Sequence, residues 1–530
     1  MDIFLTNSEI LFVTFSNKHY HKNILCQKKF AFHILNRDNT NMSDYKEIIK
    51  LIGQGITPEE EKLIEKAYLF AKRAHEGQKR MSGEPYFIHV AATAKILAKL
   101  GMDAKTIAAG LMHDVLEDTE IEEEEMKKEF GDDIVFLVNG VTKLGTLKYR
   151  GHERHIESLR KFFVAMANDL RVVIIKFADR LHNLQTLEHV REDKRLRIAL
   201  ESIELYAPLA NRLGMGKLKG EIEDAAFPYA YPKEYAEVEE IIKERKDIYQ
   251  EQLVEVENEL KKELAKNKIS VSEITYRIKN KYSLYKKLKR HNMDIEKIYD
   301  IVALRVVVDT VAECYQVLGL IHSIWKPLPG RIKDYIALPK TNGYRSLHTT
   351  ILTSTGGIAE IQIKTKEMHA EAAYGIAAHF AYKENGNKAN HNNNSKFKWI
   401  EELKELNYTP DQPTQFLEHL KMDFFNDRIF IFTPNGDVVD LPEGSSPIDF
   451  AYSIHSDIGD HISAAKVNGK MVQILSQLKN GDIVEIIDKK DAHPSSKWLE
   501  HTKSSIAKKH IKSYLEKNSL LAKLKSYGKW

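Results

Sequence analysis

Residues Leu111 to Glu120 read LMHDVLEDTE, and their reading decides the first half of the chain. The apolar run IAAGLM before His113-Asp114, and Val115 and Leu116 after it, give the spacing of a helix. At 3.6 residues per turn, His113 then lies over Glu117 and Asp114 over Asp118. Working outward, His89 and Asp179 also fall in stretches that read as apolar helix, the second preceded by VVIIKFA. A lone His-Asp pair is common by chance, but charges placed in several apolar helices need a partner or a metal. Two imidazoles and two carboxylates from three helices suit a borderline-to-hard divalent ion such as Mn²⁺ or Fe²⁺, whereas structural zinc more often brings thiolates. Such a site polarises a phosphoryl oxygen and lowers the pKa of a water, so the pattern implies metal-assisted phosphoester hydrolysis. Asn183 and Thr186 follow Asp179 at i+4 and i+7, on the same face, within reach of a substrate. The acidic run Glu122 to Glu125 reads as a solvated helix face.

A length of 530 residues predicts three or four domains. A net charge of only +3 excludes a global polycation, so any nucleic-acid contact must be local. Two distant cysteines, Cys26 and Cys314, imply a reducing, cytoplasmic setting without a structural disulfide. No apolar run approaches the roughly 18 residues that span a bilayer. The short apolar stretch ILFVTF is a poor signal-peptide core, so residues 1–42 read as a disordered extension or an over-called start.

Residues 43–230 carry helical periodicity, with helices expected over Leu63 to His75, Val90 to Leu100, Lys105 to Leu116 and Arg160 to Asn183. Glu234 to Lys266 reads as a long charged helix bridging to the next unit. Residues 231–383 turn to mixed α/β texture. Strands are expected over Ser270 to Ile274, Ile301 to Val308, Gly330 to Leu338, Ser346 to Thr353 and Ile358 to Lys364, with helices at Ser283 to Arg290, Val311 to Trp325 and Glu367 to Phe380. Residues 384–424 open with the polar linker ENGNKANHNNNSK and continue into a helix. Residues 425–489 are strand-rich with PNGD, VNGK and KNGD turns, and 490–530 begin a basic helical region.

The α/β segment has its own chemistry. Arg277, Lys279, Lys281, Lys286, Lys287, Lys289 and Arg290 form a basic cluster interleaved with Tyr276, Tyr282 and Tyr285. Asp300 opens one strand and Glu360 lies in another, with Gln362 on its face at i+2. Carboxylates on strands among many cations match Mg²⁺ and polyphosphate chemistry. Between them, KDYIALPKTNGYRSLHTT offers Tyr344 for stacking on a base and Lys340, Arg345 and His348 for phosphate.

The order of H-D-x-x-E-D, A-D-R-L-H-N, Y-S-x-Y-K-K, N-G-Y-R-S-L-H-T-T and E-I-Q-I-K-T resembles the long bifunctional Rel/SpoT-type guanosine tetra- and pentaphosphate synthetase/hydrolases, over about residues 50 to 530. The resemblance implies a multidomain fold: an all-α HD-type hydrolase domain, an α/β nucleotidyltransferase-like synthetase domain and a β-grasp TGS domain. It places Mn²⁺ ligands on His89, His113, Asp114 and Asp179, and the handling of water and protons on Glu117 and Asp118. It places substrate contacts on Arg80, Ser82, Asn183 and Thr186. In the synthetase half it implies that Arg277 and Arg305 sandwich adenine and that Lys279 and Lys287 hold ATP phosphates. Asp300 and Glu360 are implied as the catalytic carboxylates that hold Mg²⁺ and activate the acceptor ribose 3′-OH. Tyr344 is implied to stack on guanine, with Lys340, Asn342, His348 and Gln362 around the acceptor GDP or GTP. The R-x-K-D loop, with Arg331 and Lys333, is of the basic type that accompanies both activities.

Three departures stand out: Tyr276 before Arg277, Asn280 after Lys279, and Lys364 where the motif usually has Arg, losing the bidentate fork. They keep open a hydrolase-only reading in which the synthetase fold senses nucleotide. A tRNA- or ribosome-binding regulator with vestigial active sites is the other alternative. The TGS resemblance implies contact with uncharged tRNA at His455. The modules that follow TGS in longer members are not matched before Trp530, so ribosome docking is not carried over, and nothing in the sequence fixes an oligomeric state. The long helix from Glu234 is the expected route for coupling the two sites.

Overall fold

The computed structural model describes residues 44–53, 55–145, 165, 168–340, 342–354, 356–378 and 428–527. The N-terminal extension, Cys26 and the 384–424 linker lie outside them. The first unit is helical: α1 (Asp44–Ile52), α2 (Pro58–Ala74), α3 (Phe87–Lys99), α4 (Ala104–Leu111), α5 (Val115–Asp118), α6 (Glu123–Phe130), α7 (Asp132–Gly145), α8 (Leu170–Gln185), α9 (Glu192–Glu201), α10 (Ala207–Arg212) and α11 (Gly216–Ala230). Helix α2 starts at Pro58, ahead of the expected Leu63, because Thr57 Oγ1 accepts from the Glu60 amide and the Glu60 carboxylate accepts from the Thr57 amide. Helix α8 is buried on most sides, with Val172 to Ile175, Phe177, Ala178, Leu181 and Leu184 in the core. Helices α3, α4 and α8 pack on one another. Gly110 allows the closest approach, since a Cβ there would stand 2.3 Å from Leu97 Cδ1.

Two expected helices are broken. The stretch Lys105 to Leu116 stops at Leu111 and resumes at Val115, so His113-Asp114 sits at a break. The Gly110 carbonyl takes the ring N–H of His113 at 2.8 Å, which ends the helix there. Most of the first ten residues of the helix expected from Arg160 lie outside the described residues; the remainder is interrupted at Asp169, which is extended and caps α8 through the Arg171 amide at 2.9 Å.

Helix α12 (Pro232–Lys266) leads into the mixed unit: β1 (Glu273–Ile278), α13 (Lys281–Arg290), β2 (Val302–Val308), α14 (Val311–Ile324), β3 (Lys333–Asp334), β4 (Leu347–Leu352), β5 (Ile358–Thr365) and α15 (Lys366–Tyr374). The sheet order is β1-β2-β5-β4-β3, parallel only between β2 and β5. Ile361 and Ile363 on β5 and Leu304 and Val306 on β2 are buried, and α12 and α14 pack against these strands. The long α12 is therefore backing for the sheet as well as a connection.

The strand expected over Gly330 to Leu338 shrinks to two residues. Asp334 Oδ1 accepts from the amides of Ile336 and Ala337 at 2.9 and 2.8 Å, which turns the chain. The first strand moves from Ser270–Ile274 to Glu273–Ile278, which carries Arg277 into the sheet. The helix expected to reach Phe380 breaks at Gly375, whose φ of +54 and close fit against Leu213 and Gly214 leave no room for a side chain. The helical and mixed units share one continuous apolar core.

The third unit has β6 (Arg428–Phe432), β7 (Val438–Pro442), α16 (Pro447–Ile454), α17 (Ser456–His461), β8 (Ile462–Val467), β9 (Lys470–Val472), β10 (Val484–Asp488), α18 (Ser496–His501) and α19 (Ser505–Tyr527). Buried Asp449 on α16 accepts from Ser446 and from the amides of Lys503 and Ser504, tying the α18–α19 junction to α16. No helix among the described residues is long and apolar enough to cross a membrane.

Candidate active sites

Three elements deliver the first cluster: α3 brings His89, the α4–α5 break brings His113 and Asp114, and α8 brings Asp179. His89, His113 and Asp179 are buried, and each offers one ligand atom, all within 4.8 Å of one another. His89 Nε2 stands 3.2 Å from Asp179 Oδ1 and 3.6 Å from Asp114 Oδ2. His113 Nε2 stands 3.1 Å from Asp114 Oδ2 and 3.8 Å from Asp179 Oδ1. Asp114 thus borders the triad without belonging to its tightest set. Because His113 Nδ1 donates to Gly110, its Nε2 is left for a proton or a metal, and that atom is buried without a hydrogen-bond partner. An unpartnered ring nitrogen between two carboxylates fits a divalent cation.

The electrostatics agree. Burial pushes His113 down, but Asp114 and Asp179 outweigh it and lift the ring to about 10. Burial likewise opposes ionisation of Asp114 and Asp179, yet His113 beside Asp114, and Lys176 with both imidazoles beside Asp179, hold the two carboxyls well below the usual range. The pocket demands positive charge. Lys176 Nζ already pairs with Asp179 Oδ2 at 2.8 Å. Burial raises Glu117, with Asp114, Asp118 and Asp179 adding to it against Lys176. Glu117 and Asp118 line an open cleft of about 1000 Å³ with Gln78 and Arg73.

Beside the triad, a loop closed by the Arg80 amide to the Glu84 carbonyl at 2.9 Å presents Arg80. Its guanidinium donates to Asn183 Oδ1 at 2.5 Å and Thr186 Oγ1 at 3.0 Å. Asn183 Nδ2 in turn donates to Asp179 Oδ1 at 2.5 Å. Ser82 stands apart from this group and bonds Glu84 at 3.3 Å.

The second cluster occupies one face of the sheet. Register places Thr275, Arg305, Gln362, His348 and Lys333 in one row, and Arg277 pairs with Ala303, which pairs with Glu360, in the next. Asp300, just before β2, is held by Lys279 Nζ at 2.5 Å and Lys287 Nζ at 2.8 Å. Burial alone would raise it, but the two lysines bring it to about 2. Glu360 Oε1 accepts from Gln362 Nε2 at 2.9 Å and lies 3.2 Å from His348 Nδ1. Arg277 reaches Gln362 Oε1 at 3.3 Å. Tyr344 Oη is 2.9 Å from His348 Nε2 and 3.3 Å from Lys364 Nζ, with Lys340 Nζ 5.4 Å from its ring centroid. Burial, then Arg305 and Arg277, push Lys364 down to about 7. Asn342 is placed beside Asn211 of the helical unit, 3.4 Å away. Arg331 and Lys333 are exposed, and Arg345 pairs with Glu371 at 2.9 Å.

The sequence matches an HD domain over residues 67–216, the region found in RelA/SpoT proteins over 276–387 and a TGS domain over 429–488. It is 41% identical over 477 residues to the bifunctional (p)ppGpp synthase/hydrolase SpoT of Escherichia coli K12, covering 89% of this chain and 67% of that protein. The chain belongs to the RelA/SpoT family. It is also 46% identical to a guanosine-3′,5′-bis(diphosphate) 3′-pyrophosphohydrolase of Aquifex aeolicus, covering 87% of this chain and 65% of the relative. To a GTP pyrophosphokinase of Myxococcus xanthus it is 43% identical, covering 86% and 60%. The chain thus spans less than two thirds of the length of these last two RelA/SpoT relatives.

Three residues of the first site escaped sequence reasoning. Tyr86 Oη donates to Asp114 Oδ2 and to Asp118 Oδ2, each at 2.8 Å. His182 Nδ1 lies 2.8 Å from His89 Nδ1. Lys176 pairs with Asp179 as above. Each stands three positions from a candidate ligand on the same helix or its first turn (Tyr86 from His89, Lys176 and His182 from Asp179), so i±3 spacing held the signal.

Proposed function

We propose that this RelA/SpoT chain both makes and degrades guanosine tetra- and pentaphosphate. The observation that carries the degrading half is the buried, unpartnered Nε2 of His113 among His89, Asp114 and Asp179. The relatives' names, pyrophosphohydrolase, pyrophosphokinase and bifunctional synthase/hydrolase, supply the reactions.

For hydrolysis, His89, His113, Asp114 and Asp179 would hold Mn²⁺. A divalent ion there supplies Lewis acidity toward a phosphoryl oxygen and acidifies a water. Glu117 and Asp118 take the water's proton, and burial of Glu117 gives it the basicity to keep one. Arg80, with Ser82, Asn183 and Thr186, orients the nucleotide. The ribose 3′-O–P bond breaks, leaving GDP or GTP and pyrophosphate.

For synthesis, Asp300 and Glu360 are hard oxygen donors suited to Mg²⁺. Arg277 and Arg305 flank adenine, while Lys279 and Lys287 hold the ATP phosphates. Glu360 accepts the proton of the acceptor's 3′-OH, whose oxygen attacks the β-phosphorus as the bond to the α-phosphate oxygen breaks and AMP leaves. Tyr344 stacks on guanine, with Lys340, Asn342, His348 and Gln362 around the acceptor and Arg331 and Lys333 on the adjoining loop.

His455 is exposed and its Nδ1 accepts from the Asp457 amide at 3.2 Å, which leaves Nε2 to face an RNA end. We assign uncharged tRNA as its partner. The test of the whole reading is a pair of assays on the full chain: AMP from ATP plus GDP, and pyrophosphate from guanosine tetraphosphate. Both products support it, and the absence of both overturns it.

A further inference from the structure

His182 is 9% exposed and lies on the α8 turn that follows Asp179. Its ring is 5.0 Å from that of His89, with the two Nδ1 atoms 2.8 Å apart. At that separation one nitrogen must donate and the other accept. A third group decides which. Arg80 Nη1 lies 3.4 Å from the same His182 nitrogen, and a guanidinium has only hydrogens to offer. His182 Nδ1 is therefore the shared acceptor, and His89 carries its hydrogen on Nδ1. The Nε2 lone pair of His89 is thereby turned toward Asp179 Oδ1 and Asp114 Oδ2. His113 reaches the same state through a backbone carbonyl, the ordinary partner of a metal-ligating histidine.

We propose that His182 is a positioning residue that fixes the tautomer of His89 for metal binding and links that ligand to Arg80. Two chains of hydrogen bonds then run from Arg80 into the triad. One passes through His182 to His89, the other through Asn183 Oδ1 and Nδ2 to Asp179. A nucleotide anion that engages Arg80 acts on the acceptor that His89 uses, so metal and nucleotide affinities are coupled, and equally in both directions.

The inference rests on the metal-site reading above, and its test needs no catalysis. Mn²⁺ binding to the full chain is measured by titration calorimetry without nucleotide, for wild type, His182→Phe and His182→Asn. The Asn side-chain oxygen stands near the position of imidazole Nδ1 and still accepts. His182→Phe should bind Mn²⁺ about 10- to 100-fold more weakly, and His182→Asn within a few-fold of wild type. If His182→Phe does not fold, His182→Gln, whose amide extends past the Nδ1 position, takes its place with the same expected loss. Wild-type affinity in the Phe or Gln variant, or equal weakness in the Asn variant, overturns the role of His182. Absence of Mn²⁺ binding in wild type overturns the metal site itself.

Discussion

The phenol of Tyr86 stands 2.8 Å from Asp114 Oδ2, and it reaches Asp118 Oδ2 at the same distance. Burial and the two carboxylates raise its pKa, so the hydroxyl keeps its single proton, which the two carboxylates share. One side chain thereby sets the spacing between a candidate metal ligand and a candidate proton acceptor.

Tyr86→Phe removes both hydrogen bonds and keeps the ring that stacks on His75 at 4.9 Å. Pyrophosphate release from guanosine tetraphosphate should fall about 10- to 100-fold. AMP formation from ATP and GDP should be unchanged. Steady-state rates for both reactions in one preparation check this.

Arg277, on β1, contacts Gln362, which bonds Glu360, and belongs to the sheet of the mixed unit, whereas the metal triad belongs to the helical unit. Arg277→Ala should lower ATP-dependent AMP formation by 100-fold or more, on the order of 3 kcal/mol of transition-state binding. Hydrolysis should persist. Parallel loss of both activities would speak for misfolding instead.

Glu223 on α11 is 3% exposed and joins Lys219 at 2.7 Å, Lys286 at 2.9 Å and Ser283 at 3.1 Å. It binds the helical unit to α13, the helix that carries the basic motif. Glu223→Ala leaves Lys219 without its carboxylate partner in a site where burial already lowers its pKa. A loss of about 2–3 kcal/mol is expected, read as a lower thermal midpoint, with Glu223→Gln losing less.

Burial, with Arg305 and Arg277 beside it, pushes Lys364 down to about 7 in the folded protein, and unfolding returns it to its ordinary higher value. Between these values the unfolded chain binds more protons, so stability rises with pH, by up to about 1.4 kcal/mol per unit. Below about pH 7 both states are charged and the contribution is flat. Lys364→Met should remove the rise. Denaturant midpoints between pH 6 and 9 for both proteins, taken as differences, test the sign.

The sequence made the candidate site residues legible because chemistry and order are local properties, and the fold gathers His89, His113 and Asp179 into one buried cluster. His89, His113-Asp114, Asp179, Asp300 and Glu360 could each be picked from their flanking apolar runs. The break at Met112–Asp114 was not legible, because it depends on a ring N–H competing for the Gly110 carbonyl. The two-residue β3 depends similarly on Asp334 capturing amides two and three residues on. Periodicity has no term for such side-chain bonds. The Arg345–Glu371 pair was not legible either, because Glu371 lies 26 residues away on α15. The junction of the units was also missed: the expected connection was α12 alone, whereas Gly375 packs on Leu213 and Gly214 and Asn342 on Asn211.

The most direct measurement is pyrophosphate release from guanosine tetraphosphate by the full chain, with and without Mn²⁺, beside Asp179→Ala. Release that requires Mn²⁺ and vanishes in the variant, while AMP formation from ATP and GDP continues, is the predicted result. Release that ignores Mn²⁺ or survives in Asp179→Ala, or no release at all, would contradict the account.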